Sequence, residues 1–373
     1  MIRVFSAMMI DSLRYLRSRF LFWIVLAMSA IAAAALFGTY SFTPTGMKIL
    51  WFDPIENPML AEDGVGREIF VSYIFNAYFL KFWLGWGAMI LALISTASLI
   101  PDYISDGSVE LTLSKPVRRP VLFLFKFISG LLFVLLQLSI GVGFAYIIIG
   151  IRFDQWMHGA LLAIPLLTLQ FVYLYAISAL IAVLTRSTIA SLLGTILIWF
   201  VISMVQFVSN TTLLQYEMQA ATAQQNQAKI VELEAQIAEE SRDPKPFERA
   251  NLSSWTTTME AAQKSADSIY PWVKTTARIE LFVPKTGDLQ KFISSKTKAP
   301  VTNEFAGLFM DFSSEEFRPA NVDEETMRDA NEAETIARKK VRKVGIVESI
   351  TTSMLIVCLL LFLAIWRFTR RDY

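Results

Sequence analysis

Six long runs nearly free of charge constrain this chain more than any other feature: residues 20–37, 79–100, 124–150, 159–183, 189–208 and 346–366. A helix rises about 1.5 Å per residue, so roughly 20 apolar residues cross the ~30 Å of hydrocarbon in a bilayer. The runs are too long for barrel strands and lack their inside/outside alternation. In lipid every backbone N–H needs a partner within the protein, which leaves helices as the spanning element. The expected fold class is therefore an all-α membrane protein with six transmembrane helices. The first run follows an Arg-bearing start and carries Ala32 and Ala34 in an A-x-A pattern, the outline of a cleaved leader. Its long leading segment favours an uncleaved anchor.

Composition agrees with segregation by solvent. Only 18% of the 373 residues are charged against roughly 25% in soluble domains, and the deficit is concentrated in the six runs. The single cysteine, Cys358, excludes an intramolecular disulfide and reads as a small buried hydrophobe inside the last run. A net charge of +1 without a basic block interleaved with aromatics excludes nucleic acid as a partner. One cysteine and one histidine leave no parts for a histidine-based metal site or a hydrolase triad. No cofactor is expected.

Lys and Arg near membrane ends are retained on the cytoplasmic side. With the N-terminus inside, the inner flanks hold Arg3, Arg14, Arg17, Arg19, Lys115, Arg118, Arg119, Lys126, Arg186, Arg367, Arg370 and Arg371. The short outer connections hold Lys48, Arg67, Lys81 and Arg152, alongside the acidic Asp53, Glu56, Glu62, Asp63 and Glu68. Both termini are thus placed in the cytoplasm, with the chain multi-pass in a cytoplasmic (inner) membrane. Arg338, Lys339, Lys340, Arg342 and Lys343 argue the other way, because they precede the sixth run on the outer face.

Residues 1–208 form the first five helices, 209–345 a large, mostly helical extracytoplasmic insert, and 346–373 the sixth helix with its tail. Early in the insert Ile230, Leu233 and Ile237 make an apolar helical stripe, and Ala330, Ala333, Ala337, Val341 and Val344 make another near its end. These predict two helices that extend the fifth and sixth spans and pair as an antiparallel stalk; two solvated single helices are the alternative. Pro244, Pro246, Pro271, Pro284, Pro300 and Pro319 are expected to break the middle of the insert into short elements. Residues 279–293 read either as a segment lying at the bilayer interface or as an ordinary core turn.

The inner loop between the second and third runs, residues 101–123, reads Asp106-Gly-Ser-Val-Glu-Leu-Thr-Leu-Ser-Lys-Pro-Val-Arg-Arg119. Ser108 can cap a short helix, Val109, Leu111, Leu113 and Val117 are its apolar members, and Pro116 ends it. Such a helix suits a lever pressed into another protein. It suits equally well a helix resting on anionic headgroups through Lys115, Arg118 and Arg119.

The same segment, followed by Lys126 and Gly130, resembles the coupling region of ABC-2-type transporter permeases, in particular the nitrous-oxide-reductase maturation and gliding-motility permeases. Ser108 stands where that pattern usually has Thr. The resemblance extends to six spans, to the stretch Val283-Pro-Lys-Thr-Gly-Asp-Leu289 and to the tail Arg370-Arg-Asp372. It implies a permease subunit that moves or extracts a substrate using ATP hydrolysed by an ABC-type ATPase partner, with a second permease as homo- or heterodimer partner and membrane lipid around it. Asp106, Gly107, Glu110, Leu111, Leu113, Ser114, Lys115, Pro116, Arg118 and Arg119 would be the residues coupled to the ATPase. The chain has no G-x-x-x-x-G-K-[ST] loop, so it is not itself expected to be an enzyme. The competing readings are a secondary transporter or channel, which usually carries ionisable groups within its spans, and a membrane scaffold that displays the insert.

Overall fold

In the computed structural model, which describes residues 20–61, 65–105, 119–297, 324–342 and 345–370 together with Ile10 and Arg14, the apolar runs fold as helices. Helix α1 is Phe20–Gly38. The second run is one long helical segment assembled from α2 (Val65–Ile74), a π-wound stretch Phe75–Ala88, α3 (Met89–Thr96) and, after a short turn, α4 (Leu99–Ser105). Then come α5 (Arg119–Phe153), α6 (Ala163–Thr185) and α7 (Thr188–Glu239), and α11 (Ile346–Thr369) closes the set. Among the described residues five segments are long and apolar enough to cross a membrane: Gly66–Asp102, Arg119–Phe153, His158–Thr185, Thr188–Glu239 and Ile346–Thr369. The apolar part of α1, Trp23–Gly38, is shorter.

The chain divides into two compact units, and the first contains residues 1–203, 283–300 and 345–373. Its helices alternate in direction. Phe127 near the start of α5 stacks on Tyr175 near the end of α6 at 4.8 Å, and Phe123 meets Phe368, near the end of α11, at 5.6 Å. One end of this bundle therefore gathers Ser105, Arg119, Arg186 and Arg370. At the other end the Arg67 guanidinium donates to the Phe153 carbonyl (2.8 Å) and Arg152 donates to the Tyr40 carbonyl (2.8 and 3.1 Å).

Lipid tails are as apolar as leucine, so spans associate through close packing and polar contacts and gain little from a hydrophobic drive. A Cβ on Gly130 would sit 2.8 Å from the Tyr175 hydroxyl, which shows how closely α5 and α6 approach. Ser178 and Ser191 share a buried hydrogen bond of 2.8 Å, and Trp83 donates to Ser29 at 3.3 Å. Trp86 and Trp199 stack at 4.5 Å. Cys358 is exposed on α11 and is not part of the core, because the side of that helix carrying Leu355, Leu359 and Phe362 is open.

Two features of the first unit depart from the expectations above. A three-stranded antiparallel sheet, β1 (Tyr40–Thr43), β2 (Gly46–Ile49) and β3 (Ile55–Glu56), follows α1. Gly46 is needed there because a Cβ would lie 2.0 Å from the Ile55 carbonyl oxygen of the neighbouring strand. In addition, α9 (Thr286–Lys296), from the segment between the fifth and sixth runs, belongs to the bundle, with Leu289 and Ile293 fully buried. Gln290 of α9 donates to Gln170 of α6 (3.3 Å), and Ser349 of α11 donates to the Asp288 carboxylate (2.7 Å). The Lys285 N–H donates to Ser353, and the Thr297 hydroxyl donates to Asn76.

The second unit comprises residues 204–282 and 301–344. Its described parts are the later portion of α7, α8 (Pro246–Glu280) and α10 (Glu324–Arg342). At 52 residues α7 is about 78 Å long, well over twice the thickness of the hydrocarbon. Tyr216 meets Tyr270 (5.7 Å) and Lys229 lies over Trp255 (5.5 Å), so α7 and α8 form an antiparallel hairpin. Lys229 pairs with Asp329 (2.6 Å) and Glu217 with Lys340 (2.9 Å), which sets α10 antiparallel to α7 as well. Buried Ala221, Ala262, Ala266, Ala333 and Ala337 lie on these three helices. Pro246 and Pro271 do not break α8. Pro246 occupies the first turn, where its missing N–H is no loss, and the long helix absorbs Pro271 in its interior. Pro300 and Pro319 lie outside the described residues.

The hairpin turn is locked by one charged cluster. Arg242 donates to both oxygens of buried Glu248 (2.6 and 2.8 Å) and to Glu240, while the Lys245 N–H caps Glu248 at 2.7 Å. The Arg242 hydrogen bonds, then that of Lys245, pull the Glu248 carboxyl from its ordinary 4.5 down to about 2. Its folded-state pKa is depressed, so its stabilisation is present above pH 4.5 and is lost as the pH falls toward 2. Hydrogen exchange at residues 240–249, corrected for intrinsic rates, should accelerate across that window, and Glu248→Gln should remove the pH dependence.

Two mid-bundle glutamines give a second test. Gln137 is buried with no partner for either amide atom among the described residues, whereas Gln170 is bonded to Gln290. An unsatisfied buried group costs about 1–3 kcal/mol, so Gln137→Leu should raise the melting midpoint of the purified protein. Gln170→Leu should lower it by leaving Gln290 without its acceptor.

Candidate coupling site

The connection between α4 and α5 carries the residues that the sequence marks for coupling. Asp106, Gly107, Glu110, Leu111, Leu113, Ser114, Lys115, Pro116 and Arg118 lie outside the described residues, and Arg119 opens α5. The framing helices are well placed. On α4, Leu99, Ile100 and Ile104 are buried, and on α5, Leu122, Phe123 and Phe127 are buried. Phe123 packs on Phe368, and Phe127 continues into a stack with Tyr175 and Phe171, the last pair at 5.3 Å. A displacement applied to the connection therefore reaches α4 and α5 at points already seated on α6 and α11.

The electrostatics of that end are basic. Arg119, Lys126, Arg186, Arg367 and Arg370 all lie there, with Arg370 held over the Trp366 ring at 4.5 Å. Arg186 takes the left-handed conformation (φ 55°) that closes α6, its N–H bonding to the Ala182 carbonyl. Among the described residues no group of three or more His, Cys, Asp or Glu side chains could hold a metal ion. At the opposite end a cleft of about 440 Å³ is lined by Glu68, Asp154, Gln155, Trp156, His158 and Lys296, together with residues next to them in the chain. Sequence reasoning missed this cleft, because its walls come from α2, the connection after α5 and the end of α9, which are far apart in the chain.

A family model described as ABC-2 family transporter protein matches residues 8–373. The chain belongs to the ABC-2 transporter family. No curated protein and no solved structure matches it. Family membership makes the chain the membrane component of an ABC transporter, with an ABC ATPase as the implied associate, and selects that reading over an ion-driven carrier or a display scaffold. The nitrous-oxide and gliding-motility subgroup is not resolved by the match.

In the ABC-2 permease the seating of α5 on α6 can be tested at two glycines. Gly130→Leu drives a side chain into the Tyr175 ring and should destabilise the purified protein by about 1–3 kcal/mol, read as a lower melting midpoint. Gly143→Ala meets nothing within 4 Å and should leave the midpoint unchanged or slightly higher.

Proposed function

We propose that this ABC-2 permease is driven through the connection at residues 106–118, which receives force from a cytoplasmic ATPase subunit and passes it to the bundle. The observation that carries this reading is the seating of both flanking helices at the end that also holds the end of α11. Glu110 to Ser114 would enter a groove of the ATPase, and Arg118 and Arg119 would face acidic groups on its rim. The coupling requires two packings of the bundle with different affinity for the states of the ATPase, because an indifferent partner shifts no equilibrium.

The basic end is assigned to the cytoplasm by the positive-inside rule. The cluster of Arg338, Lys339, Lys340, Arg342 and Lys343 dissents, but the twelve basic residues of the inner flanks outnumber the nine that the outer face then carries. The insert is then extracytoplasmic, and both termini and the inner loop face the ATPase in a cytoplasmic membrane. A second permease copy, identical or related, would complete the transporter.

The test uses the single cysteine. In a Cys358→Ser background, a membrane-impermeant maleimide applied to intact cells should label Ser41→Cys and spare Ser114→Cys; labelling of Ser114→Cys from outside overturns the mechanism. In the same cells, Glu110→Ala with Leu111→Ala should reduce co-purification of the ATPase at least about tenfold, equivalent to ~1.4 kcal/mol of contact. Unchanged recovery would remove the segment from the coupling.

A further inference from the structure

The sheet that follows α1 exposes a patch that the transport reading does not use. Leu50, Trp51 and Phe52 are consecutive and exposed, Trp51 at 78% and Phe52 at 61%, and the two rings stack on each other at 6.0 Å. A soluble surface rarely displays such a cluster without a partner. Leu50 adopts φ 46°, a conformation unfavourable for a bulky side chain, and remains half exposed.

The register fixes the height of this patch. Tyr40 pairs with Ile49, and the Leu50 N–H donates to the Thr39 carbonyl at 2.8 Å. The hairpin thus folds back so that residues 50–52 return beside residue 39, one position past the end of α1. Its base cannot swing away. Arg152 holds the Tyr40 carbonyl, Tyr40 packs edge-on against Phe70 (5.2 Å), and Phe42 packs against Phe153 (5.6 Å). The last turn of α5 and the last turn of α1 therefore share a level with Trp51 and Phe52. The indole of Trp156, three residues beyond Phe153, folds back beside Gly150 and Tyr146 and stays half exposed at the same level.

We infer that Leu50, Trp51 and Phe52 form an interfacial anchor, inserted where acyl chains meet headgroups in the leaflet at the Arg152 end of the bundle. The chemistry fits that layer. Tryptophan favours the interface because its apolar ring leaves water while its N–H edge stays hydrated, Leu50 and Phe52 add apolar area beside it, and Asp53, immediately after the pair, remains exposed for the headgroup side. The anchor fixes the depth of α1 and of the sheet and so holds the Arg152 end of the bundle at a constant level. This inference rests on the membrane-spanning bundle and is independent of the ATPase reading.

The experiment places an environment-sensitive nitrobenzoxadiazole probe on Phe52→Cys, in a Cys358→Ser background, with the full chain in phosphatidylcholine nanodiscs. Ser41→Cys, exposed on β1, serves as the aqueous reference. The probe at 52 should emit at shorter wavelength than the probe at 41. It should be quenched severalfold more by lipid carrying a doxyl group near the headgroup than by doxyl deep in the chain or by aqueous iodide. Dominant quenching by iodide overturns the proposal by leaving the patch in water. Protection from every quencher overturns it too, because a protein surface such as a second copy then covers the patch. A second readout needs no probe: Trp51→Phe should remove a blue-shifted, shallow-doxyl-quenched part of the native tryptophan emission, and loss of a red-shifted, iodide-quenched part would contradict the anchor.

Discussion

Close approach of helices that gain little from burying grease is the constraint on which this bundle depends. In hydrocarbon a leucine is as well solvated as in a protein core, so shape and polar contact must hold the spans together. The contacts that do so are few and local. Gly130 lets α5 settle on the Tyr175 ring, Gly141 faces Ser29 of α1, and the Ser178–Ser191 bond joins α6 to α7. Each replaces bulk with proximity, which gains many small dispersion contacts. The aromatic stacks of Phe127, Tyr175 and Phe171 extend the Gly130 contact along α6, so one small residue organises a large part of the packing at the basic end.

Helix α9 returns the chain to the bundle between two excursions into the second unit. The chain leaves the bundle unit near residue 203, re-enters it at 283 and enters it for the last time at 345. Between these points α9 is fastened on three sides: Gln290 to Gln170 on α6, Asp288 to Ser349 on α11, and Thr297 to Asn76 on the second apolar segment. A rearrangement that shifts α6 against α11 must break or carry these bonds. Residues 281–285 join the end of α8 to the start of α9 along the chain. The covalent route from the bundle to the insert is short, whatever the insert binds.

The helices were legible because their apolar runs are long and the membrane permits no other spanning element. Elements defined by tertiary contact were not. The strands are two to four residues long, too short for alternation to register, and they are held by Arg152 and by the Gly46 approach to Ile55. The segment at 279–293 left two readings open because Leu289 and Ile293 look alike whether they face lipid or protein. Pro271 misled because a proline breaks a helix on local grounds, while a 35-residue helix already held at Tyr270 and Trp255 can absorb one lost hydrogen bond. The coupling segment is the reverse case. Its pattern was recognisable from the residues alone, and of that set the structure describes only Arg119.

If force enters at the connection between α4 and α5, packing decides how it travels. Close-packed interiors do not deform continuously, so a push on Phe123 and Phe127 moves their partners Phe368 and Tyr175 with them or makes them jump to a second arrangement. The first outcome turns α5, α6 and α11 as a body, and the second separates α5 from its neighbours. Gly130 favours the first. Even an added Cβ on Gly130 would lie within 2.9 Å of the Tyr175 ring carbons, so α5 has little room to slide past that ring, the Gly130–Tyr175 contact acts as a pin, and relative motion is displaced to surfaces that are less tightly closed. The open faces of α7 and α11, where Leu197, Phe200, Leu355 and Phe362 are exposed, are the largest such surfaces among the described residues of the spans. Rigid movement of the pinned helices against whatever covers those faces is the mode that this packing permits at least cost.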